Sequence, residues 1–174
     1  MPVNTTVNVE LQQACDVGSI PEPAEIRRWI EAAIRAAAHH AFDGKDGRDC
    51  DIVVRVVGEE ESRDLNARYR HKDTATNVLA FPADEGATPG LPPEPRRHLG
   101  DLAICGPAVE REALEQGKPV GSHWGHLLIH GTLHLLGYDH RTDAEAAQME
   151  RLEVQIMTDR GFDDPYGQPQ LVQC

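Results

Sequence analysis

The chain is poor in aromatic residues, which make up 5% of its 174 positions, and it has no long apolar run. No stretch approaches the roughly 18–20 apolar residues of a membrane span, so a membrane-spanning helix is excluded. The start, Met1-Pro2-Val3-Asn4, has neither a basic flank nor an apolar core, and no secretory peptide is expected there. The four cysteines, Cys15, Cys50, Cys105 and Cys174, form no CxxC pair. That spacing fits reduced thiols and a cytoplasmic location rather than a disulfide scaffold. Basic charge is scarce as well: 17 Lys and Arg face 29 Asp and Glu, for a net charge of −12. Nucleic-acid binding by bulk electrostatics is thereby excluded, and any such role must rest on a local patch. One exists around His71, where Arg63, Arg68, Arg70 and Lys72 fall within ten residues.

The length suits one domain with a substantial core. Its periodicities predict α+β structure. Val3 to Leu11 alternates as a strand. After Pro21-Glu22-Pro23 the apolar positions Ile26, Trp29, Ile30, Ala33, Ile34 and Ala37 fall on one helical face. Gly44 to Gly47 reads as a turn, and Asp51 to Val57 as a strand apolar on both faces. Glu59 to Tyr69 reads as a helix, Asn77 to Phe81 as a short strand, and the proline-rich residues 83–98 as a loop. Leu99 to Cys105 is a further strand closed by Gly106-Pro107, and Ala108 to Gln116 a helix stopped at Gly117. Ser122 is a candidate N-cap for a helix running to about Leu136, and Thr142-Asp143-Ala144-Glu145 is a capping box for the last helix. These elements are expected to form one domain over 1–160, with a loosely ordered tail over 161–174.

Five of the nine histidines, His123, His126, His130, His134 and His140, fall within eighteen residues. The run from His130 to His140 has the pattern HGxxHxxGxxH. Histidines four apart share a helix face and can bind one metal through two imidazoles. Gly137 can then reverse the chain and return His140 over that face. Three neutral nitrogens with an open position make the catalytic type of zinc site, at one zinc per chain. A set of His126, His130 and His134 is possible too, but it drifts about 80° round the helix. His140 is preferred because the glycine turn explains its position; His123 and His126 are then supporting, packing or substrate-side residues. The flanking Leu127, Leu128, Ile129, Leu133, Leu135 and Leu136 predict a buried helix.

The pattern differs by one residue from the metalloprotease motif HExxHxxGxxH. Where those enzymes place the glutamate that acts as general base, this chain has Gly131. The peptidase reading is weakened while the metal site is left intact.

The chain resembles the YbeY family of bacterial rRNA maturation factors, single-strand-specific metallo-endoribonucleases. The resemblance rests on Leu65-Asn66, Tyr69-Arg70-His71-Lys72-Asp73 and Thr76-Asn77-Val78-Leu79-Ala80-Phe81-Pro82. It continues through Leu99 to Cys105, Gln116-Gly117-Lys118, His123-Trp124, His126, the run His130 to His140, and Asp164-Pro165-Tyr166. Ala80 departs from it, standing where the family usually has serine or threonine. The resemblance implies a small mixed sheet of about four strands packed with helices, like a metalloprotease (zincin-like) core with the metal helix buried. It implies zinc on His130, His134 and His140, and a role for Arg70 in RNA cleavage or binding. It implies maturation of the 16S rRNA 3′ end and ribosome quality control, with single-stranded rRNA and the small ribosomal subunit or its assembly factors as partners. On this reading a zinc-bound water or the RNA 2′-hydroxyl attacks the phosphodiester, and Arg70, with His71 and Lys72, holds the phosphate by paired hydrogen bonds. The competing readings are a metallopeptidase and a non-enzymatic assembly factor with structural zinc.

Overall fold

The computed structural model describes residues 6–38, 49–83, 89–92 and 96–167. Strand β1 (Val7–Gln13) leads through helix α1 (Pro23–Ala38) to β2 (Asp49–Val57). Helix α2 (Glu59–Arg70), β3 (Val78–Pro82) and β4 (Arg96–Cys105) follow, then α3 (Gly106–Gln116), α4 (Val120–Leu135) and α5 (Asp143–Asp159). The four strands form one sheet in the order β1-β2-β4-β3. β1, β2 and β4 are parallel, while β3 runs antiparallel on the β4 edge. This is the expected α+β class with its mixed four-stranded sheet.

The periodic residues go where their spacing sends them. Ile26, Trp29, Ile30, Ala33 and Ala37 of α1 are buried, and Ile52, Val54 and Val56 of β2 meet them in the core. The other face of β2 departs from expectation. Val53 and Arg55 are half-buried, and Arg55 donates to Glu61 of α2 at 2.7 Å. α2 thus covers that face only in part, with a long polar side chain bridging the gap.

α4 runs through the middle, against α1, α3, α5, β3 and β4. Trp124, Leu127, Leu128, Ile129 and Leu133 are buried on it, leaving His126, His130 and His134 as a half-buried stripe. Close packing of α1 on α4 depends on Gly125. A Cβ there would stand 2.3 Å from the Trp29 ring, which is itself enclosed. Gly125→Ala should therefore cost about 1–3 kcal/mol through overpacking, despite the better helix propensity of alanine. Urea unfolding measures this; an unchanged midpoint would mean that α1 yields without penalty.

Several boundaries differ from expectation. Residues 96–98 belong to β4 rather than to a loop, because Arg96 pairs with Asp51 at 2.8 Å and Asp49 at 3.3 Å across the parallel register. Gly106 and Pro107 open α3 instead of closing the strand; proline suits the first helical turn because its missing N–H would have no partner there. α4 begins two residues before Ser122, with Pro119 at its N-cap, and the Ser122 hydroxyl donates to the Pro119 carbonyl instead of capping. The Thr142–Glu145 capping box forms in both directions, at 3.2 Å each. The turn at 44–47, half of the proline-rich loop (84–88 and 93–95) and Val3 lie outside the described residues. Within the expected tail, Phe162 packs on Trp29 with ring centroids 4.7 Å apart, and the Lys118 ammonium donates to the Pro165 carbonyl. No helix of the described residues is long and apolar enough to cross a membrane.

Candidate metal centre and basic turn

α4 brings His130 and His134 to one face through their i, i+4 spacing. Gly137, at φ +98°, then turns the chain back in a conformation that suits glycine. His140 is thereby returned towards the pair. Ligand atoms of His130, His134 and His140 all lie within 4.8 Å of one another, the one such group of three among the described residues. His126 is not in it.

The hydrogen bonds behind this group suit it to a cation. Glu153 of α5 is completely buried. As a carboxylate it only accepts, so His130 Nδ1–H donates to its Oε1 at 2.5 Å and His126 Nε2–H to its Oε2 at 3.0 Å. The Tyr166 hydroxyl donates to Oε2 as well. Burial would push the Glu153 carboxyl up, but the His126 and His130 hydrogen bonds hold it down, at about 2. With Nδ1 taken by Glu153, Nε2 is the nitrogen His130 presents to the group. Burial first, then His130 and His140, push the His134 pKa down to about 4, which keeps it neutral. The two Nε2 atoms, of His130 and His134, face each other at 3.1 Å. Two nitrogens about 2.0–2.1 Å from one tetrahedral zinc stand about 3.3 Å apart. The donor set fits such an ion, and the carboxylate behind His130 is the usual outer partner of a ligating histidine.

Gly131 packs where a glutamate would have to go. A Cβ on it would lie 2.8 Å from Leu102 Cδ2 and 3.3 Å from Val78 Cγ2, at the seam of α4 with β3 and β4. A side chain at this position would have to displace Leu102, and glycine itself offers no carboxylate to act as the peptidase base.

Arg70, His71 and Lys72 lie elsewhere. All three are exposed at the C-terminal end of α2. His71 caps that helix in the left-handed conformation at φ +59°. The loop that follows is clamped to α2. The Ser62 hydroxyl donates to the Thr76 carbonyl at 2.7 Å and accepts from Thr76 N–H at 2.9 Å, while Asn66 Nδ2 donates to the Thr74 carbonyl at 2.8 Å. Arg63 is paired in bidentate fashion with Asp73, at 2.8 and 2.9 Å, and so leaves the basic patch. Among the described residues Arg70 has no ion-pair partner, and no hydrogen bond or ring contact joins Arg70, His71 or Lys72 to the three histidines.

Two carboxylates escaped the sequence reading. Glu153 falls on the apolar stripe of Met149, Leu152 and Ile156, and a charge on that face was the available signal. Glu112 of α3 accepts from Asn77 Nδ2 at 3.0 Å and from His123 Nε2 at 2.9 Å, tying the start of β3 to α4. Nothing in the local pattern of α3 marks it.

Fold and site together define an α+β protein in which one buried helix and a glycine turn converge three imidazoles able to hold a metal ion. The family model described as Endoribonuclease YbeY matches residues 11–161. Proteins named Endoribonuclease YbeY from Stutzerimonas stutzeri and Pseudomonas entomophila are 48% and 49% identical to the chain. The first match covers 92% of this chain and 92% of the relative, the second 92% and 93%. A relative of the same name from Xanthomonas axonopodis pv. citri is 46% identical over 92% of this chain and 93% of its own. A solution structure of a Thermotoga maritima protein aligns over 92% of this chain and 99% of that one, at 22% identity and a TM-score of 0.47. The chain belongs to the Endoribonuclease YbeY family.

Proposed function

We propose that this protein is a zinc-dependent, single-strand-specific endoribonuclease that acts in 16S rRNA 3′-end maturation and ribosome quality control, in the cytoplasm. The observation that carries the chemistry is the convergence of the ligand atoms of His130, His134 and His140, with His130 oriented by buried Glu153. Family membership supports RNA as the substrate. The peptidase alternative is disfavoured by the packing at Gly131.

Zinc on these three histidines would supply a Lewis acid for a phosphoryl oxygen and lower the pKa of a water molecule. The chain's own residues do the rest. Glu153 holds His130 in the tautomer that presents Nε2. His134 stays neutral through burial. Arg70, on the clamped end of α2, offers a guanidinium to the phosphate, with Lys72 and His71 beside it. The acidic remainder repels RNA, which favours a grip of a few nucleotides over extended duplex binding.

Single-turnover cleavage of a single-stranded rRNA fragment by zinc-loaded protein tests this. Arg70→Ala should keep fold and zinc content but slow cleavage about 10²–10³-fold, the usual cost of losing a preorganised donor. Arg70→Lys should recover part of that loss, since an ammonium lacks the two-pronged contact. Full activity in a folded, loaded Arg70→Ala protein would remove Arg70 from the mechanism.

A further inference from the structure

A cavity of about 460 Å³ opens between α2 and the strands, on the face of the sheet turned away from α4. That volume is within the range for a small-molecule site. Val53, Leu65 and Ala103 give it apolar surface, and two rings wall it, Tyr69 from the last turn of α2 and Phe81 from β3. The rings meet edge-on, with centroids 5.1 Å apart. Phe81 is half-buried, whereas Tyr69 is 58% exposed. A planar ligand can therefore lie against Tyr69, and single-stranded bases are commonly held on such side chains.

The polar groups of the rim are not equivalent. Arg55 is engaged already, donating to Glu61 at 2.7 Å and to Gln12 at 3.2 Å. Asp101 faces His98 of its own strand at 3.3 Å, and an exposed pair of that kind holds its partners weakly. The Asp101 carboxylate is thus the acceptor open to a ligand. A phosphate in the cavity would meet Asp101 and Glu61, two like charges. An uncharged ring with two adjacent N–H donors would meet both carboxylate oxygens of Asp101. Guanine presents such a pair, N1–H and the N2 amino group, and the other three RNA bases do not.

The cavity is also well placed for an RNA strand. Tyr69 directly precedes Arg70, and neighbouring helix positions point about 100° apart, so one turns to the sheet and the other to solvent. Phe81 lies on the edge strand β3, whose Val78 meets the metal helix at Gly131. Building on the endoribonuclease reading, we propose that this cavity seats one unpaired guanine of the RNA, stacked on Tyr69 and bound at its edge by Asp101, while Arg70 holds a phosphate of the same strand. A guanine in a duplex has its donors and both faces occupied, so the seat gives the enzyme a physical means of choosing single strands.

The test is a titration of zinc-loaded, full-length protein carrying ¹³C-labelled tyrosine with the four ribonucleoside 5′-monophosphates, which contain no linkage to cleave, and with ribose 5-phosphate. The chain has three tyrosines, and Tyr69→Phe identifies the resonances of Tyr69. Guanosine monophosphate should move them upfield and bind about tenfold more tightly than the adenosine analogue, a discrimination usual for a two-pronged contact. Ribose 5-phosphate should give no upfield shift. Asp101→Asn, at an exposed position, should lose most of the preference for guanine while stacking persists. If that variant fails to fold, the wild-type comparison among the bases decides. No upfield shift up to the solubility limit, equal shifts with ribose 5-phosphate, equal affinity for the four bases, or full guanine preference in folded Asp101→Asn would each overturn the seat. Cleavage of single-stranded RNA by the same preparation separates the two ideas. Cleavage without the guanine shifts discards the seat alone, whereas guanine shifts without cleavage support the seat and discard the ribonuclease reading.

Discussion

His134→Ala should leave the protein without stoichiometric zinc and reduce cleavage of single-stranded RNA by at least about a thousand-fold. His134 sits between the other two histidines, with ring centroids 4.6 Å from His130 and 5.1 Å from His140. Its loss leaves two ligands, too few for the three-ligand catalytic arrangement. Charge stabilisation by a metal is worth several kcal/mol in a transition state, and about 4 kcal/mol is already a factor of a thousand. His130→Ala and His140→Ala should behave alike. His126→Ala should retain the metal, since its Nε2 is spent on Glu153. Metal analysis of the purified variants reads the outcome directly. Zinc lost from His126→Ala but kept by His140→Ala would replace this ligand set with the one lying wholly on α4.

The second large effect is expected at Glu153. Glu153→Ala removes a buried carboxylate from three donors at once: His126, His130 and the Tyr166 hydroxyl. Breaking one side of such a buried cluster costs about 3–5 kcal/mol, a large part of the roughly 5–15 kcal/mol that holds a domain folded. Glu153→Gln keeps the shape but presents an amide N–H₂ to a neighbouring histidine N–H. The fold should survive, with zinc affinity lowered about 10–100-fold because His130 is no longer held in its ligating tautomer. Tyr166→Phe deletes one donor and leaves the two histidines in place, so it should cost only about 1 kcal/mol. Urea unfolding and competition against a chelator separate the two effects. Wild-type zinc affinity in Glu153→Gln would show that His130 is oriented by something other than this carboxylate.

Asn77 and Glu112 show how far support for the site extends. Asn77 stands just before β3, and Glu112 joins it to His123, one turn before His126 on α4. Edge strand and metal helix are thus joined by polar contacts as well as by packing at Gly131. The basic turn is held from its own side, by Ser62 and Asn66. Both are buried polar residues of α2 that contribute to the site only by what they grip.

By itself the sequence determined what depends on neighbours within a few residues. The apolar face of α1 follows from spacings of three and four, and the His130–His134 pair from a spacing of four. The return of His140 follows from a glycine free to take φ +98°. The capping box of α5 is equally local, which is why it was legible. Contacts between distant segments were decided only by the tertiary structure. Arg96 draws residues 96–98 into β4 because Asp49 and Asp51 of another strand are there to receive it. Glu153 reaches His130 from 23 positions away, and Tyr166 closes over the same carboxylate from a segment that composition marks only as a tail. Periodicity describes which face a residue takes on its own element. The partner it meets there is chosen by how the elements pack, and at this site packing sets which nitrogens the histidines present.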